Sequence, residues 1–383
     1  MSGPRVLHLI GNLKREGAQV VLANLVARGK ALGGEPVVSP WREGGPVAET
    51  IAAAGVPVLS MRALPGGPVA LPLVVAAVAG RVRRHAIDLV HAHMSDSAII
   101  AAGASRLARV PFVITHHSNR LLPREGAMAT KLRAALFGPA VRAARANVAV
   151  SEEVRERLLA ATGIAADCVC VVRNGIPIPD EAALVATQAR RGVWRSGGRG
   201  PVIVIIGRLI EIKGQRQLIA AAPAILARFP QARIVIVGDG PDRHALAEQA
   251  RTLGVAASIE FTGSIADVAA VLAGADLYVS TSLYEGLPMA LLEAMSWAVP
   301  VVASDVPGNR DLVRDGETGR AYAHGDLAGL AETIARTLSD PGAVALAQRG
   351  RALAAERYGI DAMVSGYDAI YRRACDGQRR RAA

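Results

Sequence analysis

The chain has 383 residues, half of them hydrophobic, with few aromatics and a net charge of +11. That suits two domains of ordinary size with a sizeable core. Three cysteines (Cys168, Cys170 and Cys375) without a CxxC pair exclude a complete disulfide framework, and the longest apolar stretch, Val69 to Gly80, carries Pro72 and is too short to span a bilayer.

Short β-branched runs alternate with longer helical patterns, which predicts parallel sheets with crossover helices. In the first half, strands are expected near Val6–Ile10, Pro36–Ser39, Ile87–His91, Phe112–Thr115 and Asn147–Val150. Helices are expected over Gly17–Leu32, Ser95–Ala108 and Ser151–Ala161. The apolar run starting at Val6 is only a strand long, so no signal peptide is expected ahead of it. A reduced, cytoplasmic setting is the simple expectation, and Cys168 and Cys170 are expected to share one strand face. A second set of strands begins at Val202–Ile206 and continues at Arg233–Val237, Ser258–Phe261, Leu277–Ser280 and Val299–Ala303. Both halves open alike, with an apolar strand ending at Gly11 and again at Gly207.

The pattern predicts two doubly wound α/β domains facing across a cleft: residues 1–176, a linker over 177–200, and residues 201–359. The linker carries Pro177, Pro179 and the turn-rich stretch 196–200. A last helix over 360–375 is expected to pack back on the first domain. In such sheets ligands lie beyond the carboxyl ends of the strands.

Charge is uneven. Residues 1–175 hold 21 Lys/Arg against 11 Asp/Glu, and the rest is nearly balanced. The excess gathers at Arg120, Arg124, Lys131, Arg133, Arg142 and Arg145. A solvated basic face is one meaning. An anionic lipid surface or acceptor is the other. No aromatic–basic interleaving points to nucleic acid.

The most informative stretch runs from Glu285 through Gly286, Leu287, Pro288 and Met289 to Glu293. Pro288 reads as the first residue of a helix, with Glu285 in the loop before it and Glu293 on an early turn. Gly286 permits close approach to the backbone. The free N–H groups of Met289 and Ala290 offer a partly positive helix end to an anion. A ligand with phosphates and hydroxyls, such as a nucleotide-sugar, fits; two solvated glutamates on a helix is the alternative. Gly207-Arg208 ends a strand, and Lys213 follows on the same loop, where two cations can grip a diphosphate. Lys213 is the only lysine in the second half, in a chain with 40 Arg and four Lys, which points to a need for a compact charge.

Gly-Arg-Leu…Lys-Gly, Tyr-Glu-Gly-Leu-Pro…Leu-Glu-Ala-Met…Val-Pro-Val-Val-Ala-Ser, His91-Ala-His93, Thr115-His-His117 and Arg-Asn174-Gly175-Ile-Pro together resemble glycosyltransferase family 4. These are retaining enzymes of the GT-B fold, and the resemblance runs nearly end to end. It implies a nucleotide-diphosphate sugar donor and a carbohydrate or glycolipid acceptor, with no cofactor. Arg208 and Lys213 would neutralise the departing diphosphate, and Glu285 would contact the sugar hydroxyls. Amides from Gly286 to Met289 would hold sugar and phosphate oxygens, and Glu293 would accept from the ribose. His117 would sit near the anomeric region, Gly17 near the phosphates, and Asn174 and Gly175 at the cleft floor. Two positions depart from the pattern: Glu16 precedes Gly17 where paired glycines are usual, and Ala298 stands where glycine is usual.

No Asp-x-Asp motif is present, so no metal is expected and these cations would take its place. His91 and His93 share a strand face, but no third partner stands at metal-ligand spacing. Gly238-Asp239-Gly240 lacks a third glycine for a dinucleotide fingerprint. A sugar-nucleotide epimerase on the same scaffold, or a non-catalytic binding protein, are the rival classes. Peripheral contact with the inner face of a membrane is a further expectation from the basic first half.

Overall fold

The computed structural model describes residues 3–14, 17–60, 70–117, 128–188, 200–265 and 267–382. The chain divides into two compact units, one of residues 1–176 and 360–383, the other of 177–359.

In the first unit six parallel strands stand in the order β2-β1-β3-β4-β5-β6. They are β1 (Arg5–Ile10), β2 (Glu35–Pro40), β3 (Leu89–His93), β4 (Phe112–His116), β5 (Ala146–Ala149) and β6 (Val169–Val171). β3 and β4 are buried along their whole length. That follows from helices on both faces, which leave the strands as near-continuous apolar runs. Leu7, Leu9, Val90, Ile114 and Phe137 fill one side, and Ile10, Leu22, Val38 and Ile51 the other. Ser151 caps the helix Glu152–Thr162, its Oγ accepting from the Val154 N–H at 3.2 Å. Gly163 ends that helix in the left-handed conformation. The helix Ile360–Ala382 packs on the helix Gly17–Ala31 and on β3 and β4, burying Tyr367 and Tyr371. The Ile360 N–H donates to Ile176 O where the chain returns.

The second unit repeats the plan in the order β12-β11-β10-β7-β8-β9. These strands are β7 (Val202–Ile206), β8 (Arg233–Val237), β9 (Ile259–Gly263), β10 (Leu277–Ser280), β11 (Val301–Ser304) and β12 (Arg320–Tyr322). Ile203, Ile205, Leu218, Ile234, Leu277 and Val302 belong to its core.

Several expectations change. β3 lies two residues later than the apolar run suggested, so His91 and His93 are both inside it. Only Cys170 belongs to β6; Cys168 closes a 3-10 turn and is exposed. Part of the expected linker is the helix Glu181–Gln188, started by Asp180, whose Oδ1 accepts from the Ala183 N–H. Residues 196–199, Arg120, Arg124 and Glu16 lie outside the described residues, as do the side chains of Lys131 and Arg133. No helix among the described residues is long and apolar enough to cross a membrane.

Candidate functional site

In the second unit the loops leaving β7 and β10 are stitched together. Leu283 N–H donates to Ile212 O, Thr281 Oγ1 to Lys213 O at 3.1 Å, and Gln217 Nε2 to Thr281 O at 3.1 Å. Gly214 makes this approach possible: its φ is +67°, and a Cβ there would stand 2.1 Å from Thr281 O. Any side chain would push the loops apart. Gly238 and Gly240 serve the same end, since Cβ atoms there would strike Gly207 O and Leu209 O. The Gly-Asp-Gly segment is thus a packing device for the β7 loop.

The stitching brings Lys213 onto Glu285, 72 residues away. Lys213 Nζ donates to Glu285 Oε1 at 2.7 Å and to Oε2 at 2.9 Å. Ser282 Oγ adds a third bond to Oε1 at 2.6 Å. The Glu285 side chain is 10% exposed and that of Lys213 31%. The Glu285 loop is braced from behind: Ser304 Oγ donates to Ser282 O, Asn309 Nδ2 donates to Ser304 O, and Gly308 has no room for a Cβ beside Glu285 O. The carboxylate is therefore held in one place, with three of roughly four acceptor sites used.

Pro288 is the N-cap and not the first helical residue; its ψ of 90° keeps it extended, and the helix is Met289–Ser296. No side chain caps this end, so the first-turn N–H groups remain orphan donors. Lys213, Gln215, Tyr278, Glu285, Pro288 and Met289 line a cavity of about 30 Å³. Gly207 lies beside the Lys213 stem, Arg208 is exposed on the same loop, and Gln215 Nε2 donates to Arg208 O. Gly286 is exposed and Leu287 half-buried. Glu293 is half-buried, and desolvation raises its carboxyl pKa to about 7. Burial raises the Tyr278 hydroxyl as well, helped by Glu285 and Glu293. Gln215 carried no sequence signal, and Ser282 only its place three residues before Glu285 on the same loop.

His117, Asn174 and Gly17 belong to the first unit: His117 directly follows β4, Asn174 follows β6, and Gly17 opens the helix Gly17–Ala31. Nothing stands within 4 Å of a Cβ built at Gly17. Among the described residues, Asn174 is buried with its Oδ1 unpartnered, and His117 Nδ1 is likewise buried without a partner. Buried polar atoms are nearly always paired, so two such atoms invite a ligand. His116 is structural: its Nε2 pairs with Asn147 Oδ1 and its ring packs on Phe137.

His91 and His93 do have a third neighbour, contrary to the sequence expectation. β1 and β3 pair His8 with His91 in register, and ring nitrogens of His8, His91 and His93 lie within 4.8 Å of one another. Register between strands 80 residues apart leaves no mark in linear spacing. Met94, just after β3, is held at φ +71° and ψ 167°, a region where strain collects at functional sites.

Residues 15–178 match the family model described as Glycosyltransferase Family 4, and residues 200–340 the model described as Glycosyl transferases group 1. A 2-deoxystreptamine glucosyltransferase of Streptomyces kanamyceticus is 30% identical over 293 residues, covering 73% of this chain and 75% of that protein. An α-D-kanosaminyltransferase of the same organism is 29% identical over 309 residues, covering 76% and 79%. A crystal structure of Anabaena HepE in complex with UDP and glucose is similar at TM-score 0.78 and 25% identity, over 95% of this chain and 98% of that one.

Proposed function

The chain belongs to glycosyltransferase family 4, and on that footing we propose that it moves a sugar from a nucleotide-diphosphate donor to an acceptor hydroxyl with retention of configuration. The observation that carries this reading is the meeting of Lys213, Glu285 and an uncapped helix start around one cavity.

The chemistry follows from charge. The bond from the anomeric carbon to the diphosphate oxygen breaks, and negative charge grows on that oxygen. Lys213, Arg208 and the N–H groups of Met289 and Ala290 supply fixed positive charge on one side of the site. Preorganised donors of this kind are commonly the largest catalytic contribution. They do the work a divalent metal does elsewhere, so turnover should survive a strong chelator. Glu285, tied by Lys213 and Ser282, is neutralised and poorly placed to attack carbon. It retains a free acceptor position for a sugar hydroxyl. The acceptor oxygen then bonds the anomeric carbon from the face the diphosphate leaves, through an oxocarbenium-like transition state. Its proton goes to the departing phosphate oxygen. Glu293 accepts from the ribose hydroxyls. Within the first unit, His117 would offer its Nδ1 to a sugar hydroxyl, with Gly17 and Asn174 as further ligand-contacting residues.

A uridine nucleotide is the favoured donor, by analogy with the UDP complex of HepE. A cell-surface saccharide or glycolipid acceptor, reached from the cytoplasmic membrane face, fits the basic bias of residues 1–175. Thermal stabilisation by UDP, GDP, ADP and their sugars tests the donor, since a bound nucleotide raises the unfolding temperature by mass action. Donor consumption with and without saccharide acceptors separates transfer from epimerisation, which needs no acceptor. A chain that neither binds nor consumes any of these nucleotides is not this enzyme.

A further inference from the structure

The first unit holds a line of imidazoles. His8 Nδ1 meets His93 Nε2 at 3.2 Å, and His93 Nδ1 meets His117 Nε2 at 3.0 Å. The two ring pairs are tilted only 20° and 29° from parallel. His8 lines a cavity of about 260 Å³ between the helices Gly17–Ala31 and Ile360–Ala382. At the other end, His117 Nδ1 is buried with no partner among the described residues.

We propose that His8 and His93 are positioning residues that fix which nitrogen of His117 carries its proton. The claim that His117 faces the sugar rests on the function proposed above; the relay itself does not.

The logic is one of bond counting. A neutral imidazole donates at one nitrogen and accepts at the other. If His8 Nδ1–H donates to His93 Nε2, the His93 proton must sit on Nδ1, and it then donates to His117 Nε2. The His117 proton must therefore sit on Nδ1. If the line runs the other way, all three protons sit on Nε2. No mixed arrangement satisfies both bonds. His117 thus offers a ligand either an N–H or a bare lone pair at Nδ1, and changing from one to the other requires all three rings to change together. In that change one proton enters at one end of the line, one leaves at the other, and each ring is neutral before and after. Burial favours the neutral forms throughout, holding His8 at about 3 and His117 at about 4, with His93 well below its usual value.

His91 braces the line without joining it. Its Nδ1 meets Tyr371 OH and its Nε2 meets Thr115 Oγ1, each at 2.7 Å, and Thr115 Oγ1 also meets Tyr367 OH at 3.0 Å. With both His91 nitrogens engaged by hydroxyls and both His93 nitrogens by imidazoles, the cluster is built to order protons and not to hold an ion.

The test is nitrogen NMR on the full chain labelled at its eight histidines. His8, His93 and His117 should show one shared tautomer, with nitrogen–nitrogen couplings across both bonds. Tautomers that differ among the three rings, or missing couplings, in the folded wild type overturn the relay. In His8→Phe the His117 tautomer should become mixed, while His116, bonded to Asn147, stays unchanged. His8→Asn, which keeps a polar atom near the Nδ1 position, should restore a single tautomer. For transfer, His8→Phe should lower kcat about 10-fold, the smaller loss typical of removing an outer partner, at constant donor KM. An unchanged His117 signal in His8→Phe refutes the positioning role. Should the tautomers behave as expected in a chain that transfers no sugar, the relay stands and the proposed function fails.

Discussion

Replacing Lys213 with methionine keeps the aliphatic stem and removes the charge, and the structure sets the size of the effect. Glu285 would lose two of its three hydrogen bonds and keep only Ser282. Breaking a fully buried ion pair costs about 3–5 kcal/mol, because a charge is left uncompensated. The Lys213 side chain is 31% exposed, so water can reach part of the site and a cost of about 2 kcal/mol is expected. In a unit of this size that is a fall of roughly 4–8 °C in the second unit's unfolding temperature. Glu285→Gln added to Lys213→Met should recover most of it, since the stranded charge disappears, and a double-mutant cycle should report a coupling of about 1–2 kcal/mol. Turnover behaves differently. Both the single and the double variant lose the cation proposed to face the diphosphate and should fall about 10²–10³-fold. Denaturation of the full chain with a parallel donor-turnover assay reads both effects. If Lys213→Met melts with the wild type, or if the double variant regains activity along with stability, then Lys213 serves only to neutralise Glu285 and the catalytic argument fails.

Nucleotide affinity should depend on pH through Glu293. Its folded pKa of about 7 lies above the ordinary 4.5, so the unliganded unit gains stability at low pH and loses it as pH rises through 7. A ribose that bonds the ionised carboxylate should bind about 10-fold tighter at pH 8 than at pH 6; calorimetry of UDP on Glu293→Gln should show a flat profile. The buried histidines act in the opposite sense. His8, His116 and His117 are held at about 3, 4 and 4 against 6.5 in the unfolded chain, so the unfolded state binds more protons below pH 6.5. Stability should fall on acidification, by about 2 kcal/mol per histidine at pH 5. Hydrogen exchange should therefore show the first unit opening before the second, and equal acid resistance of the two units would refute this. Ala298 sits at φ +53° just after the helix Met289–Ser296. Ala298→Gly should stabilise the chain by up to about 1 kcal/mol in chemical denaturation, the left-handed penalty of alanine less the entropy of glycine.

The strands were the most legible part. Val202–Ile206 and Arg233–Val237 are β-branched runs ending at glycine, Leu277–Ser280 is a short run rich in strand formers, and each became the strand expected. β6 and β12 have three residues each, too few to show a period. Pro288 was misplaced by one position because a proline serves equally at a cap and inside the first turn. At the site, the singular lysine and the two glutamates could be read from composition and local spacing. The bond between Lys213 and Glu285 could not, because glycines at 214 and 308 and the hydrogen bonds of Thr281 and Ser304 bring the two loops together. The histidine line was hidden for a similar reason. His93 could be paired with His91 from a two-residue spacing, whereas His8 arrives through the register of β1 on β3.

In the proposed function the second unit grips a diphosphate through Lys213, Arg208 and the start of the helix Met289–Ser296. Calorimetric affinities of UDP and of uridine, measured side by side on wild type and Lys213→Met, decide whether it does. UDP should bind the wild type far more tightly than uridine, and the substitution should erase most of that difference while leaving uridine binding unchanged. Equal binding of UDP and uridine by the wild type, or a difference that survives the loss of Lys213, would contradict it.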